Sequence, residues 1–255
     1  MKPHKFFRKE IKEPDEFFTI TGRVISFIKK EQKIVSWIGT ILVALLALSI
    51  FWPRYQASKA EDAAIAFYYT AKLFDAEIVE KKEETTPVTE EKTPHPETFS
   101  SAKEKYTSIL QKLQNIEKEY SKTPSAYYAQ LFKGHTYFNL GEYDKAIESY
   151  NVFLKKTDKT SEFYLLTLNA IALCFEKKEA YSEAIAQYKK MLEVKGDFLK
   201  DLATYNIARC HEKTNNHQEA EKYYALVKDT FATSSLADEA KKHLLMLPTN
   251  HELTK

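Results

Sequence analysis

The sequence predicts an all-α protein: a transmembrane helix near the N-terminus, followed by a solenoid of helix–turn–helix units. Three observations predict this class. One uninterrupted apolar run stands near the N-terminus. A set of small and aromatic residues recurs at intervals of 38 and 36 residues. Glycine and proline are scarce, 5 and 8 in 255 residues, while Ala, Leu, Lys and Glu are abundant. A net charge of +2 makes no case for a nucleic-acid-binding face. The two cysteines, Cys174 and Cys210, are too few for a disulfide framework.

The apolar run is "IVSWIGTILVALLALSIFW", Ile34 to Trp52, 19 uncharged residues. As a helix it spans about 28 Å, close to the hydrocarbon thickness of a bilayer. Lys33 and Arg54 bracket it, and Trp37 and Trp52 stand near its two ends, where indole rings favour the lipid interface. "SKA" at 58–60 loosely fits a signal-peptide cleavage site, but the leader and the apolar run are both long for a signal peptide. A retained anchor over 34–53 is the better reading. Residues 1–33 carry nine Lys/Arg and residues 53–72 carry three. The positive-inside bias then keeps the leader, 1–33, cytoplasmic and exports the rest. Within the leader, Phe17, Ile20, Val24, Phe27 and Ile28 fall at helical spacing after Pro14-Asp15. This fits equally a helix lying on the inner membrane face and an extension of the anchor helix.

Beyond the anchor, 54–79 reads as a helix with Ala64, Phe67, Ala71, Phe74 and Ile78 in one stripe. The segment 80–98 is an acidic linker with three prolines and, up to residue 97, no large apolar residue but Val88. An exported domain over 99–255 opens with a helix that aligns Tyr106, Ile109, Leu110, Leu113, Ile116 and Tyr120, ended by Pro124.

The recurrence follows. Ala146, Ala184 and Ala220 are in register, and four residues after each stands Tyr150, Tyr188 or Tyr224. Three further on come Phe153, Met191 and Val227. Twelve residues before each alanine is Gly134, Ala172 or Ala208, and nine before it Tyr137, Phe175 or His211. Small residues at these places let two helices of a unit approach closely, and the rings fill the wedges beside the crossing. Gly141 suits the left-handed geometry that ends a first helix. A period of 34 to 38 with this pattern marks helix–turn–helix solenoids. The units are about 127–160, 165–198 and 201–232. A helix over 234–247, capped by Ser234 or Ser235, closes the end.

These residues resemble the tetratricopeptide repeat (TPR) family over roughly 127–232. The closing proline of that family is replaced by Asp158, Gly196 and Ala232, and its first-helix tryptophan by Gln130, Leu168 and Thr204. The third copy, with His211 and His217 where rings are expected, departs furthest. The resemblance implies that the first helix of each unit lines a concave face where partners dock. In this register that face presents Tyr128, Leu131, His135 and Phe138 from the first unit, Asn169, Leu173 and Lys177 from the second, and Tyr205, Arg209 and Lys213 from the third. Such a mixed aromatic and basic groove suits a peptide.

No glycine-rich phosphate loop, GxSxG or HExxH is present, and Cys210, His211 and His217 have no common metal-ligand spacing. The sequence therefore implies no enzyme, cofactor or metal. Cys174 and Cys210 occupy equivalent positions in successive first helices, about 8–10 Å apart, beyond disulfide reach, so free thiols are expected. The overall plan of leader, anchor and exported repeats resembles the ancillary Sec translocon subunit family of the bacterial inner membrane. It implies a scaffold that binds polypeptides or partner proteins, among them translocon or chaperone components, on the periplasmic side. The alternative is a structural tether in envelope assembly or division.

Overall fold

A computed structural model of the chain describes residues 16–79 and 98–248. The proline-containing stretch expected as a linker lies outside them, but for residue 98. The chain divides into two compact units, Met1–Ser58 and Lys59–Lys255.

In the first unit, α1 covers Glu16–Lys30, and Glu31 separates it from α2, Gln32–Lys72. Helical bonds run on across this junction: Glu31 N–H donates to Phe27 O at 2.9 Å and Val35 N–H to Glu31 O at 3.0 Å. α2 runs through Pro53, so one helix covers both the apolar run and the start of the stretch after it. Proline lacks the N–H that the Ser49 carbonyl would accept, yet flanking turns keep the helix whole. Among the described residues this is the one helix long and apolar enough to cross a membrane, and no part of its most apolar stretch is buried in the protein.

In the second unit, the last turns of α2 and the 3₁₀ turn Leu73–Asp75 pack on α3, Ala102–Glu119. The buried stripe here is Ala63, Thr70 and Leu73, flanked by Ala66, Phe67 and Phe74. The expected stripe is therefore rotated: Ala64 and Ile78 face solvent. The cause is α3, whose Ile109, Leu113 and Ile116 fix which side of α2 is covered. Lys105 is buried and donates from Nζ to Phe74 O at 2.6 Å and Ala76 O at 2.8 Å, satisfying carbonyls left over where the 3₁₀ turn ends. A single parallel bridge, Ile78 to Phe99, is the only extended pairing among the described residues.

Ser101 caps α3 through Glu104 N–H, while the Glu104 carboxylate accepts from Ser100 N–H. Pro124 does not end this helix, which stops at Glu119; it is the first residue of the next one, where its missing N–H costs nothing. Three helix pairs follow: α4 Pro124–Asn139 with α5 Tyr143–Leu154, α6 Glu162–Lys177 with α7 Tyr181–Glu193, and α8 Lys200–Lys213 with α9 His217–Thr230. α10, Leu236–Met246, packs on α9. Its entry is set by Ser234, whose Oγ accepts from Leu236 N–H at 3.1 Å and donates to Asp201 Oδ2 at 2.5 Å.

The register holds residue by residue. Ala146, Ala184 and Ala220 are fully buried, as are Phe153, Met191 and Val227, and Tyr150, Tyr188 and Tyr224 are at most 1% exposed. Gly134, Ala172 and Ala208 are buried opposite them, while Tyr137, Phe175 and His211 are half-buried. The first helices share one C-terminal design. Glu142, Ala180 and Asn216 N–H groups donate to the carbonyls of Tyr137, Phe175 and His211, each at 2.9 Å. The residue before each donor has positive φ: Gly141 +78°, Glu179 +58° and Asn215 +57°. This six-to-one bond closed by a left-handed residue is the Schellman arrangement.

Candidate partner-binding groove

The first helices α4 and α6 lie side by side, and a trough of about 400 Å³ opens between them. Leu131, Phe132, His135 and Phe138 line it from α4; Phe163, Leu166, Asn169, Ala170 and Leu173 line it from α6; Tyr150 closes the floor. Phe163 and Leu166 are 45% and 44% exposed, so large apolar surface is held open to solvent here. A larger hollow of about 550 Å³ lies between the α3–α4 turn and α5, and Glu117, Lys122 and Lys156 bring charged groups to its lining.

Polar groups are few in the trough and fixed. His135 presents one edge to solvent, while its Nδ1 lies 2.9 Å from the Tyr150 hydroxyl and its ring meets the Tyr150 ring edge-on at 5.4 Å. Desolvation by the surrounding rings holds its pKa below the usual histidine value. Burial also pushes the Tyr150 hydroxyl well above the ordinary phenol value, so it stays protonated. Asn169 Oδ1 is buried with no hydrogen-bond partner in the protein. An unmet acceptor in an apolar wall is costly, and a ligand N–H or O–H would relieve that cost once the Asn169 amide turns toward the trough.

The expected face divides in two. Leu131, His135, Phe138, Asn169 and Leu173 come together in the trough, and Tyr128 stands at its end with its ring 5.7 Å from Phe163 and 5.9 Å from Phe153. Lys177 and Lys213 are exposed and line no part of it. Tyr205 is buried, edge-on to Tyr224 at 5.6 Å and to His243 at 6.0 Å. Arg209 donates to Asn206 Oδ1 at 2.7 Å and pairs with Glu176 at 3.3 Å. The third unit thus spends two of its face residues on internal contacts, because α10 covers it and Glu176 reaches across from α6.

That acidic pair was not legible as a site. Tyr188 donates its hydroxyl to Glu176 Oε1 and Tyr224 to Glu212 Oε2, both at 2.6 Å. Each glutamate then meets a cationic or basic group two helices further along the chain, Arg209 of α8 for Glu176 and His243 of α10 for Glu212, the latter at 3.0 Å. In the first unit Phe138 holds the glutamate's place, so Tyr150 turns to His135 instead. Phe163 and Leu166 were also missed. They lie six and three residues before Asn169, a stripe that helical spacing alone continues toward the start of α6.

Both cysteines are free and buried, and burial pushes each thiol up to about 12, so neither is a thiolate nucleophile near neutral pH. Stacked on Tyr223 at 5.8 Å, the His211 ring is committed to packing. Among the described residues no group of three or more His, Cys, Asp or Glu is placed to hold a metal ion.

Helix pairs stacked in register define a helical-repeat solenoid. The family model that matches it is the tetratricopeptide repeat, over residues 127–152 and 203–229. These two stretches match the tetratricopeptide repeat, and such repeats point to a protein–protein interaction scaffold. The third copy is among the matched stretches, so the histidines that replace its rings do not remove it from the pattern. No curated protein matches the chain. Among solved structures, two of a Podosopora anserina protein described as kinesin light chain with nearly identical TPR-like repeats are 14% identical, each covering 55% of this chain and 76% of their own, with a TM-score of 0.47. MamA is 18% identical over 56% of this chain and 86% of its own, with a TM-score of 0.41.

Proposed function

We propose that the protein is a single-pass scaffold of the bacterial inner membrane, its leader cytoplasmic and its repeats on the periplasmic side, where the trough between α4 and α6 docks a polypeptide segment of a partner. Translocon or periplasmic chaperone components are the partners that this layout suits. The carrying observation is the trough itself: exposed Phe163 and Leu166 beside a buried, unpartnered Asn169 Oδ1. Apolar side chains of the partner fill it, and one amide or hydroxyl hydrogen satisfies Asn169. The distribution of Lys/Arg around the apolar run, nine before it and three in the twenty residues that follow, supports the orientation.

Photo-crosslinkers at Leu166 and at Leu226, an exposed residue of α9 outside the trough, test this in cells. Adducts with a discrete partner at Leu166 and their loss in an Asn169→Leu or Leu173→Glu background are expected. Equal adducts from both positions, or none from Leu166, would favour a tether that uses other surfaces.

A further inference from the structure

We infer that α1 is a membrane-surface helix, its apolar face set into the headgroup layer of an anionic bilayer on the side from which α2 enters; this rests on the reading of α2 as a membrane span.

Val24, Phe27 and Ile28 follow helical spacing on one side of α1, and they are 50%, 58% and 43% exposed. Arg23, Ser26, Lys29 and Lys30 stand on the other side. Among the described residues nothing covers the apolar side. Lipid is the occupant that the charges select. From residue 21 to residue 33 there are four cations and one anion, Glu31. Cations flanking an apolar stripe are the pattern of helices that lie in a bilayer interface, where acyl chains take the stripe and anionic headgroups take the lysines.

Continuity with α2 adds a distance argument. The apolar run starts at Ile34, four residues after α1 ends. At 1.5 Å per residue, the last turn of α1 is within about 6 Å of the hydrocarbon edge if α2 spans. Glu31 alone lies between α1 and α2, with its N–H on Phe27 O and Val35 N–H on its carbonyl, so α1 adjoins that edge directly. A short amphipathic helix so placed leaves water by lying along the interface.

The test uses the full-length protein reconstituted in vesicles of phosphatidylcholine and phosphatidylglycerol in equal parts, or of phosphatidylcholine alone. A fluorophore is attached at Val24→Cys, Phe27→Cys, Ser26→Cys or Leu46→Cys, one per protein; the native thiols are buried and do not compete. In the anionic vesicles, aqueous iodide quenching at Val24→Cys and Phe27→Cys is expected to be roughly threefold weaker than at Ser26→Cys. The same two labels should be quenched by nitroxide-bearing lipid, and the contrast should shrink without phosphatidylglycerol. If Leu46→Cys is quenched by lipid while the three α1 labels are equally open to iodide, α1 is not at the interface and the inference fails. If Val24→Cys and Phe27→Cys escape iodide without quenching by lipid, another protein helix covers them and the inference fails. If Leu46→Cys is not quenched by lipid, the membrane span itself is wrong.

Discussion

Gly134 lacks a side chain because Tyr150 occupies the space: a Cβ there would lie 2.3 Å from Tyr150 Cε1 and 2.4 Å from Cδ1. The ring cannot yield easily, since it is buried and tied to His135. Gly134→Ala should therefore destabilise the repeat domain by about 1–3 kcal/mol, read as a lower urea midpoint. The equivalent Ala172 and Ala208 show that a methyl fits where the facing tyrosine bonds a glutamate. His135 and His211 carry a second prediction. Burial lowers both pKa values below 6.5, so the unfolded chain takes up protons that the folded chain refuses. The groups facing His211 do not change the direction: Glu219 opposes the shift and Lys189 and Lys222 reinforce it. Their contribution is present above pH 6.5 and is lost as the pH falls through the folded-state values. Urea midpoints should drop between pH 7.5 and pH 5, and His135→Gln with His211→Gln should flatten that dependence; an unchanged slope would refute the assignment.

Helix ends decide how the elements join. Gly141, Glu179 and Asn215 share the left-handed conformation that closes each first helix, but only the first of them is the residue that adopts it without cost. Glutamate at φ +58° is strained against its own Cβ. Glu179→Gly should raise the stability of the domain by about 1 kcal/mol, whereas Gly141→Ala should lower it by a similar amount. Calorimetric melting of the two variants checks both signs. The heptad-like stripe that predicts α3 is confirmed by the burial of Ile109, Leu113 and Ile116, because a helix packed on two neighbours must present one continuous face. The stripe on α2 was misplaced by one residue. Alanines occupy positions 60, 63, 64, 66 and 71 there, and small side chains mark a face too weakly to choose between 63 and 64.

At the scale of the whole molecule, the second unit is a stack in which each element meets its chain neighbours. Contacts run from α3 to α4 and onward in order to α9 and α10, joined by lesser ones between α4 and α6 and between α8 and α10. Such an array holds its end repeats through one interface only. α10 supplies that interface for the third pair: His243 stacks on Tyr224 at 4.8 Å and meets Glu212, and Ala237 and Ala240 are buried. Truncation after Thr233 should uncover Tyr224 and Val227 and destabilise the domain by about 2 kcal/mol or more, with earlier hydrogen exchange in α8 and α9 than in α4 and α5. The cysteines report on the same stack. Both should resist thiol reagents in the native protein and react together in denaturant, since each is buried in the core between helices.

Chain order and periodicity by themselves determined the helix pairs, the phase of the buried alanines and tyrosines, the Gly141 turn and the apolar run, because each depends on contacts within about forty residues of sequence. Which first-helix residues stay open was decided only by the tertiary structure. Tyr205 and Arg209 satisfy the same spacing as Leu131 and His135, yet α10 and Glu176 claim them, while Phe163, Leu166 and Asn169 are left facing an unfilled trough. Spacing places a side chain on a face; whether a neighbouring helix covers that face depends on the element packed there, and periodicity along one helix does not record its neighbours.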